Sequence, residues 1–273
     1  MLEFVRRSHR LVDIVAGLPG IKSFVRWEYD RAFAANRNAN MFRGVFDTFD
    51  AAENSAPKTL PMGYDNAAAA GMYLDRTRRI YPSDYPLIFW LQKLFAEGCT
   101  RIFDVGGHIG IGYYGYRRYL TYPATLSWVV HDVPAVMQEG RRLAAVKDTY
   151  RGLTFSERFE ETANADILFA SGSLQYLPEP LWQMVAALKT KPRHVLLNLT
   201  PLHARESFFT LQSIGTAFCP YRVSSVGELL QGFESSGYKL IDQWDNPEKK
   251  CEIPFHENHS LDRYHGFLFS RTD

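Results

Sequence analysis

Two aspartates and a cluster of glycines are the residues of this chain whose types and spacing best suit ligand binding. Asp104 ends an apolar run, and Gly106, Gly107 and Gly110 follow it at once. Glycines let a backbone turn tightly and approach a ligand closely. Asp132 ends a second apolar run, and its two acceptor oxygens suit the paired hydroxyls of a ribose. The pattern predicts a nucleotide-like ligand.

Three cofactor classes compete for the glycine turn. A Walker P-loop requires a lysine after its last glycine, and none follows here. The spacing of Gly106, Gly110 and Gly112 fits a short-chain dehydrogenase, but no tyrosine stands four residues before a lysine, as the catalytic pair of those enzymes requires. The third candidate is S-adenosylmethionine.

An S-adenosylmethionine site typically combines an acid at the end of one strand, a glycine loop and a second acid at the end of the next strand. Asp104 would take the methionine ammonium or an ordered water network, and the glycines would leave room for the sulfonium chain. Asp132 would bind the ribose, with Val133 beside it. Asp132 could also cap a helix that begins at Pro134, and the two roles are compatible.

With these residues in place, the chain resembles a known group of enzymes. Asp104-Val-Gly-Gly107 and Asp132-Val-Pro-Ala-Val136 are similar to the first two motifs of class I S-adenosylmethionine-dependent methyltransferases, especially the small-molecule O-methyltransferases. The chain resembles more closely a family of bacterial methyltransferases of unassigned acceptor, often associated with surface-polysaccharide gene clusters. This resemblance runs from about residue 44 to the end and includes Gly63-Tyr-Asp65, Trp128-Val-Val-His-Asp-Val-Pro134, Ser171-Gly-Ser-Leu-Gln-Tyr-Leu177, Thr200-Pro201 and Gly237-Tyr238. It implies methyl transfer to a small-molecule or sugar-containing acceptor, at oxygen.

Two residues depart from the methyltransferase pattern. His108 stands where many methyltransferase loops have another glycine, and its imidazole would either contact the cofactor carboxylate or point away. Gln175 falls near the general-base histidine of the phenolic O-methyltransferases, and an amide cannot accept a proton at neutral pH. The resemblance therefore does not carry that catalytic mechanism to this chain.

Other cofactor contacts are expected at the carboxyl ends of the strands, where ligands of open α/β sheets bind. Ser171 and Gly172 should edge the cofactor. Glu157 could reach the adenine amino group, with Arg158 over the adenine face, although a solvated turn explains both residues nearly as well.

An oxygen acceptor also requires a base. Histidine titrates near neutral pH, and His203, His256 and His259 lie in loops that follow predicted strands. These three histidines are the candidate bases. The candidates for binding the acceptor are Tyr64, Asp65 and Tyr176.

The elements that must position these residues alternate between strand and helix from Arg101 onward. Such alternation predicts a doubly wound, Rossmann-like α/β fold with a seven-stranded, mainly parallel sheet. Predicted strands cover residues 102–105, 126–130, 153–155, 167–170, 194–199, 238–244 and 266–270, and the last two should be antiparallel. Predicted helices cover residues 87–96, 113–120, 134–144, 181–188 and 226–236.

Residues 1–60 are interpreted as an N-terminal helical appendage, and residues 61–273 as the S-adenosylmethionine-dependent methyltransferase domain. Phe4, Leu11 and Val15 share one helical face, with Arg6 and Arg10 nearby. A basic amphipathic helix can make weak contact with a membrane surface. The preferred interpretation is a helix that packs on its own domain or on a second copy in a homodimer.

Composition narrows the function classes further. The net charge of +1 gives no reason to expect nucleic-acid binding. No run of about 18 apolar residues occurs, so no spanning helix is expected. Cys99, Cys219 and Cys251 are scattered and odd in number, which argues against disulfides and structural zinc and favours a cytoplasmic protein.

Two other functions stay open at this level. The glycine spacing leaves an NAD(P)-dependent oxidoreductase as an alternative. The other alternative is a catalytically inactive, methyltransferase-like subunit that binds a partner through residues 1–60.

Overall fold

The computed structural model describes residues 21–37, 40–65 and 74–272, and two β-sheets organise that part of the chain. The strands in chain order are β1 (Met41–Phe46), β2 (Arg101–Val105), β3 (Ser127–His131), β4 (Leu153–Phe155), β5 (Ile167–Ser171), β6 (His194–Thr200), β7 (Leu202–His203), β8 (Phe208–Ser213), β9 (Phe218–Ser225), β10 (Tyr238–Asn246) and β11 (Tyr264–Arg271).

The larger sheet has seven strands in the order β10-β11-β6-β5-β2-β3-β4. Its neighbouring strands are parallel except where β11 pairs with β6 and with β10. From β2 the chain winds outward to β3 and β4, and then returns to the other side of β2 with β5 and β6. The predicted seven-stranded, doubly wound fold with an antiparallel terminal pair is confirmed. The switch point between β2 and β5 is where ligands bind in such folds.

Helices cover both faces of this sheet. Two helices belong to the N-terminal region, α1 (Ile21–Ala34) and α2 (Phe49–Asn54). The others are α3 (Tyr85–Ala96), α4 (Ile111–Tyr116), α5 (Pro134–Lys147), α6 (Leu181–Ala186) and α7 (Val226–Ser235). Ile102 packs in a core with α3 and α4, whereas the next residue, Phe103, packs in a second core with α6 and α7. This alternation is the period of two that a strand buried on both faces requires.

A second, four-stranded sheet has the order β1-β8-β9-β7, and sequence reasoning missed it. Strands β8 and β9 form an antiparallel hairpin that is inserted between β6 and α7. Its turn contains Gly215, which has a φ of 83°. Two β-branched and aromatic runs that flank this glycine are the signal that could have revealed the hairpin.

The N-terminal region differs from the prediction of helices alone. Helices α1 and α2 are present, but Met41–Phe46 is a strand that pairs with β8, with Met41 opposite Ser213. Gly44 has a φ of 74° and lies where the register between β1 and β8 shifts. Because this glycine interrupts the apolar run, the sequence gives only a weak strand signal here. The predicted amphipathic helix at residues 1–18 lies outside the described residues. No helix in the described ranges is long and apolar enough to cross a membrane.

Candidate cofactor and acceptor site

A cavity of about 430 Å³ opens at the carboxyl ends of β2, β3, β5 and β6. Most of the predicted cofactor residues line it. They are Asp104, Gly106, Gly107, His108, Asp132, Val133, Ser171 and Gly172. Phe42, Gln212 and Tyr221, all from the second sheet, complete the opposite wall. The fold therefore brings the two aspartates and the glycine turn to one site.

The glycine turn is tight because its side-chain positions are already filled by the protein. Gly106 has a φ of 71°, and a Cβ there would lie 2.2 Å from the Cβ of Ser173. A Cβ on Gly107 would lie 2.3 Å from an oxygen of Asp104. Gly110 lies behind the turn, where a Cβ would be 2.7 Å from Leu153. These glycines therefore let the turn pack against Ser173, Asp104 and Leu153, and the room they would leave for the sulfonium chain stays a prediction.

Asp104 is a buried carboxyl directly below the turn. Its Oδ2 accepts a hydrogen bond of 2.9 Å from Nε1 of Trp128, on the neighbouring strand. Burial, with a smaller contribution from the negative charge of Asp132, raises the pKa of Asp104 to about 7. A positive group placed beside it would favour the ionised form.

Asp132 ties the glycine turn to the end of β3. Its Oδ2 accepts from the backbone N–H of His108 at 2.8 Å, and its Oδ1 accepts from the N–H of Val133 at 2.7 Å. Burial raises the pKa of Asp132, and these two hydrogen bonds and the nearby histidines oppose that rise. A carboxylate has about four acceptor positions, so each oxygen keeps one for a further donor.

His108 occupies its loop position in a conformation that usually requires glycine. Its φ is 57°, which explains why a glycine is common there. The residue is buried against the cavity and donates its N–H to Asp132. His108 therefore lines the site, and contact between its imidazole and the cofactor carboxylate stays a prediction.

Glu157 and Arg158 do not line the cavity. Glu157 is exposed and lies 3.6 Å from Arg141 on α5, and Arg158 lies 3.7 Å from Glu161. Both side chains thus form surface ion pairs, which corresponds to the alternative of a solvated turn. Their predicted adenine contacts are not supported by this placement.

The three candidate bases form a cluster of their own, away from the cavity wall. The rings of His203 and His259 stack at 6.0 Å, and those of His256 and His259 lie 6.2 Å apart. His203 is bonded through Nε2 to the Asn258 carbonyl, and Nε2 of His259 lies 3.3 Å from Glu206. None of these histidines is among the described residues that line the cavity. In the described ranges, no group of three or more histidine, cysteine or acidic side chains is arranged to hold a metal.

Tyrosines and glutamines form another part of the cavity wall. The Tyr64 hydroxyl donates to that of Tyr176 at 3.4 Å, and the Tyr176 hydroxyl donates to Oε1 of Gln212 at 2.8 Å. The hydroxyls of Tyr221 and Tyr264 are 2.6 Å apart. Tyr64 and Tyr176, which were predicted to bind the acceptor, both line the cavity. Asp65 does not line the cavity and accepts instead from the N–H of Ala135.

Two further residues that line the cavity, Asp84 and Gln175, were not among the predicted site residues. Asp84 precedes α3 and accepts from the hydroxyl of Tyr116 at 2.9 Å and from the N–H of Tyr81 at 2.7 Å. Burial raises its pKa. The buried Oε1 of Gln175 has no hydrogen-bond partner among the described residues, and its Nε2 donates to the Gly172 carbonyl. These side chains leave polar atoms available to a ligand.

No family model and no curated protein matches this chain. Similar solved structures include the CcbJ methyltransferase of Streptomyces caelestis, with 13% identity, a TM-score of 0.43 and coverage of 83% of this chain and 97% of that one. The 1,6-didemethyltoxoflavin-N1-methyltransferase of Burkholderia thailandensis is 14% identical, with a TM-score of 0.43 and coverage of 70% and 79% respectively. An S-adenosylmethionine dependent methyltransferase of Mesorhizobium loti is 14% identical, with a TM-score of 0.45 and coverage of 69% and 98%. Because the sequence identities are this low, the ligand is inferred from the residues of the site.

Proposed function

We propose that this chain is an S-adenosylmethionine-dependent methyltransferase that acts on a small-molecule or sugar-containing acceptor, at oxygen. The observation that carries the proposal is the placement of Asp132. Two backbone N–H groups orient its carboxylate at the edge of the cavity, and each oxygen keeps an acceptor position for a ribose hydroxyl.

The residues around the turn fit the rest of the cofactor. Asp104 supplies a buried carboxyl that suits the methionine ammonium, and Ser171 and Gly172 line the cavity at the end of β5, on the other side of β2 from Asp132. When bound, S-adenosylmethionine supplies an electrophilic methyl group on a sulfonium. The role of the chain is then to hold the acceptor oxygen in line with that methyl and to exclude water.

The acceptor would lie against the tyrosine and glutamine wall. Tyr176 and Gln212 are fixed by their mutual hydrogen bond, so their remaining donor and acceptor positions can orient an acceptor hydroxyl. Asp84 lines the same cavity, whereas His203, His256 and His259 do not. Asp84 is therefore a better-placed proton acceptor than the predicted histidines.

Calorimetric titration tests the proposed identity of the cofactor. The purified chain should bind S-adenosylmethionine and S-adenosylhomocysteine, and it should not bind NADPH, since the buried carboxyl of Asp104 suits an ammonium and disfavours a phosphate. Tight binding of NADPH with no response to either methyl-cofactor form would overturn the proposal in favour of the oxidoreductase. Cofactor binding without methyl transfer to any metabolite would favour the inactive, partner-binding subunit.

Affinity for S-adenosylmethionine should rise with pH. Asp104 is mostly protonated below its pKa of about 7 and carries no charge for the ammonium there. Binding that requires the ionised form should therefore be about tenfold weaker at pH 6 than at pH 8. Calorimetry at both pH values measures this, and Asp104→Asn is the control, since its affinity should be lower and independent of pH. An equal pH dependence in both proteins would assign the titration to another group.

A further inference from the structure

Four basic side chains line the mouth of the cavity, and the proposed cofactor site does not account for them. They are Arg76, Arg79, Lys249 and Lys250. Arg76 and Arg79 belong to the segment before α3, whereas the two lysines follow β10, so separate parts of the fold bring them together.

The lysines are placed to meet a negative charge. Lys249 is half-buried, and its pKa is lowered by burial and then by the nearby charge of Arg76. Among the described residues, no carboxylate lies within 4 Å of the charged groups of Arg79, Lys249 or Lys250. Holding a partly buried lysine near another positive charge costs free energy, which an anion bound beside Lys249 would offset.

The charged groups of the proposed cofactor cannot neutralise the four basic side chains. S-adenosylmethionine carries one carboxylate against a sulfonium and an ammonium, so it adds net positive charge to the cavity. Its carboxylate can pair with only part of the basic group. Asp84 is the one carboxylate on the described cavity wall besides Asp104 and Asp132, and burial raises its pKa. Glu248 and Asp262, which do not line the cavity, act electrostatically on Lys249 and Lys250, but the four basic side chains still outnumber the three carboxylates of the described cavity wall.

We infer that the acceptor is an anion, and that Lys249 and Lys250, with Arg79, hold its phosphate or carboxylate group at the cavity mouth while the tyrosine wall holds its reacting end. This inference rests on the proposed function, and it narrows the acceptor to a class. Lysine binds phosphate or carboxylate as a compact point charge and does not require a fixed orientation. The acceptor can therefore turn its reacting oxygen towards the methyl group while its anionic end stays bound.

Titration of anions into the S-adenosylhomocysteine complex tests the inference, because the methionine carboxylate has then already taken its own partner. Inorganic pyrophosphate and succinate are the two probes, and they separate phosphate from carboxylate recognition. At least one should bind to the wild-type complex, and its affinity should fall with rising salt. The double variant Lys249→Gln/Lys250→Gln should bind that probe at least about tenfold more weakly, because two charge-assisted contacts are lost.

Matched measurements separate this inference from the proposed function. S-adenosylhomocysteine should bind the double variant and the wild type with equal affinity, and Lys239→Gln, an exposed lysine on β10 outside the cavity, should leave anion binding unchanged. If S-adenosylhomocysteine binds but neither anion does, or if the double variant binds anions as the wild type does, the anionic acceptor is ruled out and the methyltransferase stands. If S-adenosylhomocysteine does not bind the wild type, the proposed function and the anionic acceptor are both ruled out.

Discussion

Asp132→Ala should weaken the binding of S-adenosylmethionine and S-adenosylhomocysteine by roughly fivefold to 150-fold. The substitution removes the acceptors for two ribose hydroxyls, and unpaired polar groups in a closed site cost about 1–3 kcal/mol. It also leaves the N–H groups of His108 and Val133 without their carboxylate, so the glycine turn loses its tie to β3. Calorimetry on the folded variant measures the loss.

Glu157→Ala is the matched control for this experiment. Glu157 follows the next strand of the sheet, but it is exposed and pairs with Arg141 on the surface. Its removal should leave cofactor affinity unchanged, whereas a loss comparable with that of Asp132→Ala would restore its predicted adenine contact. Wild-type affinity in a correctly folded Asp132→Ala protein would contradict the ribose assignment.

The main sheet could be predicted because its signals are local. Residues 153–155, for example, were predicted as a strand with the bounds that the structure gives. Apolar runs that end at Asp104 and Asp132 also placed both acids at the same edge, since parallel strands end together. The cofactor half of the cavity follows from that pattern.

The acceptor half could not be predicted, because it depends on pairing between distant segments. Met41 lies opposite Ser213 in the second sheet, and no local pattern specifies such a partner. Gln212 and Tyr221 come to the cavity only through that sheet. The β-branched and aromatic runs of the hairpin can be recognised in the sequence, but they do not indicate which face of the hairpin lines the cavity.

The histidines illustrate a different difficulty. They were predicted as candidate bases from their positions in loops after strands, and the rings of His203 and His259 stack at 6.0 Å outside the cavity lining. However, Phe208 packs against both rings, and it belongs to a core that also contains Tyr221 and Tyr264 of the cavity wall. Loop position alone cannot tell which side of such a core a side chain occupies.

Gly106→Ala should lower the free energy of unfolding by about 2–5 kcal/mol. Backbone with a φ of 71° costs an alanine about 1–2 kcal/mol, and the new Cβ would lie 2.2 Å from the Cβ of Ser173, an overpacking that typically costs about 1–3 kcal/mol. The turn must then shift away from β5, which moves it relative to Asp104 below it. Denaturant unfolding measures the change, and S-adenosylhomocysteine affinity should fall with it.

Two other glycines separate the causes of this loss. Gly237 has a φ of 90°, but no atom lies within 4 Å of the place that an alanine Cβ would take, so Gly237→Ala should report the backbone cost alone. Gly227 lies in α7 with open space around it and an ordinary φ, so Gly227→Ala should be neutral or slightly stabilising. The double variant Gly106→Ala/Ser173→Gly should recover the steric part of the loss, although it gives up the hydrogen bond from Ser173 Oγ to the Val105 carbonyl. If Gly106→Ala costs no more than Gly237→Ala, contact with Ser173 does not set the shape of the turn, and the glycine is required for its backbone conformation alone.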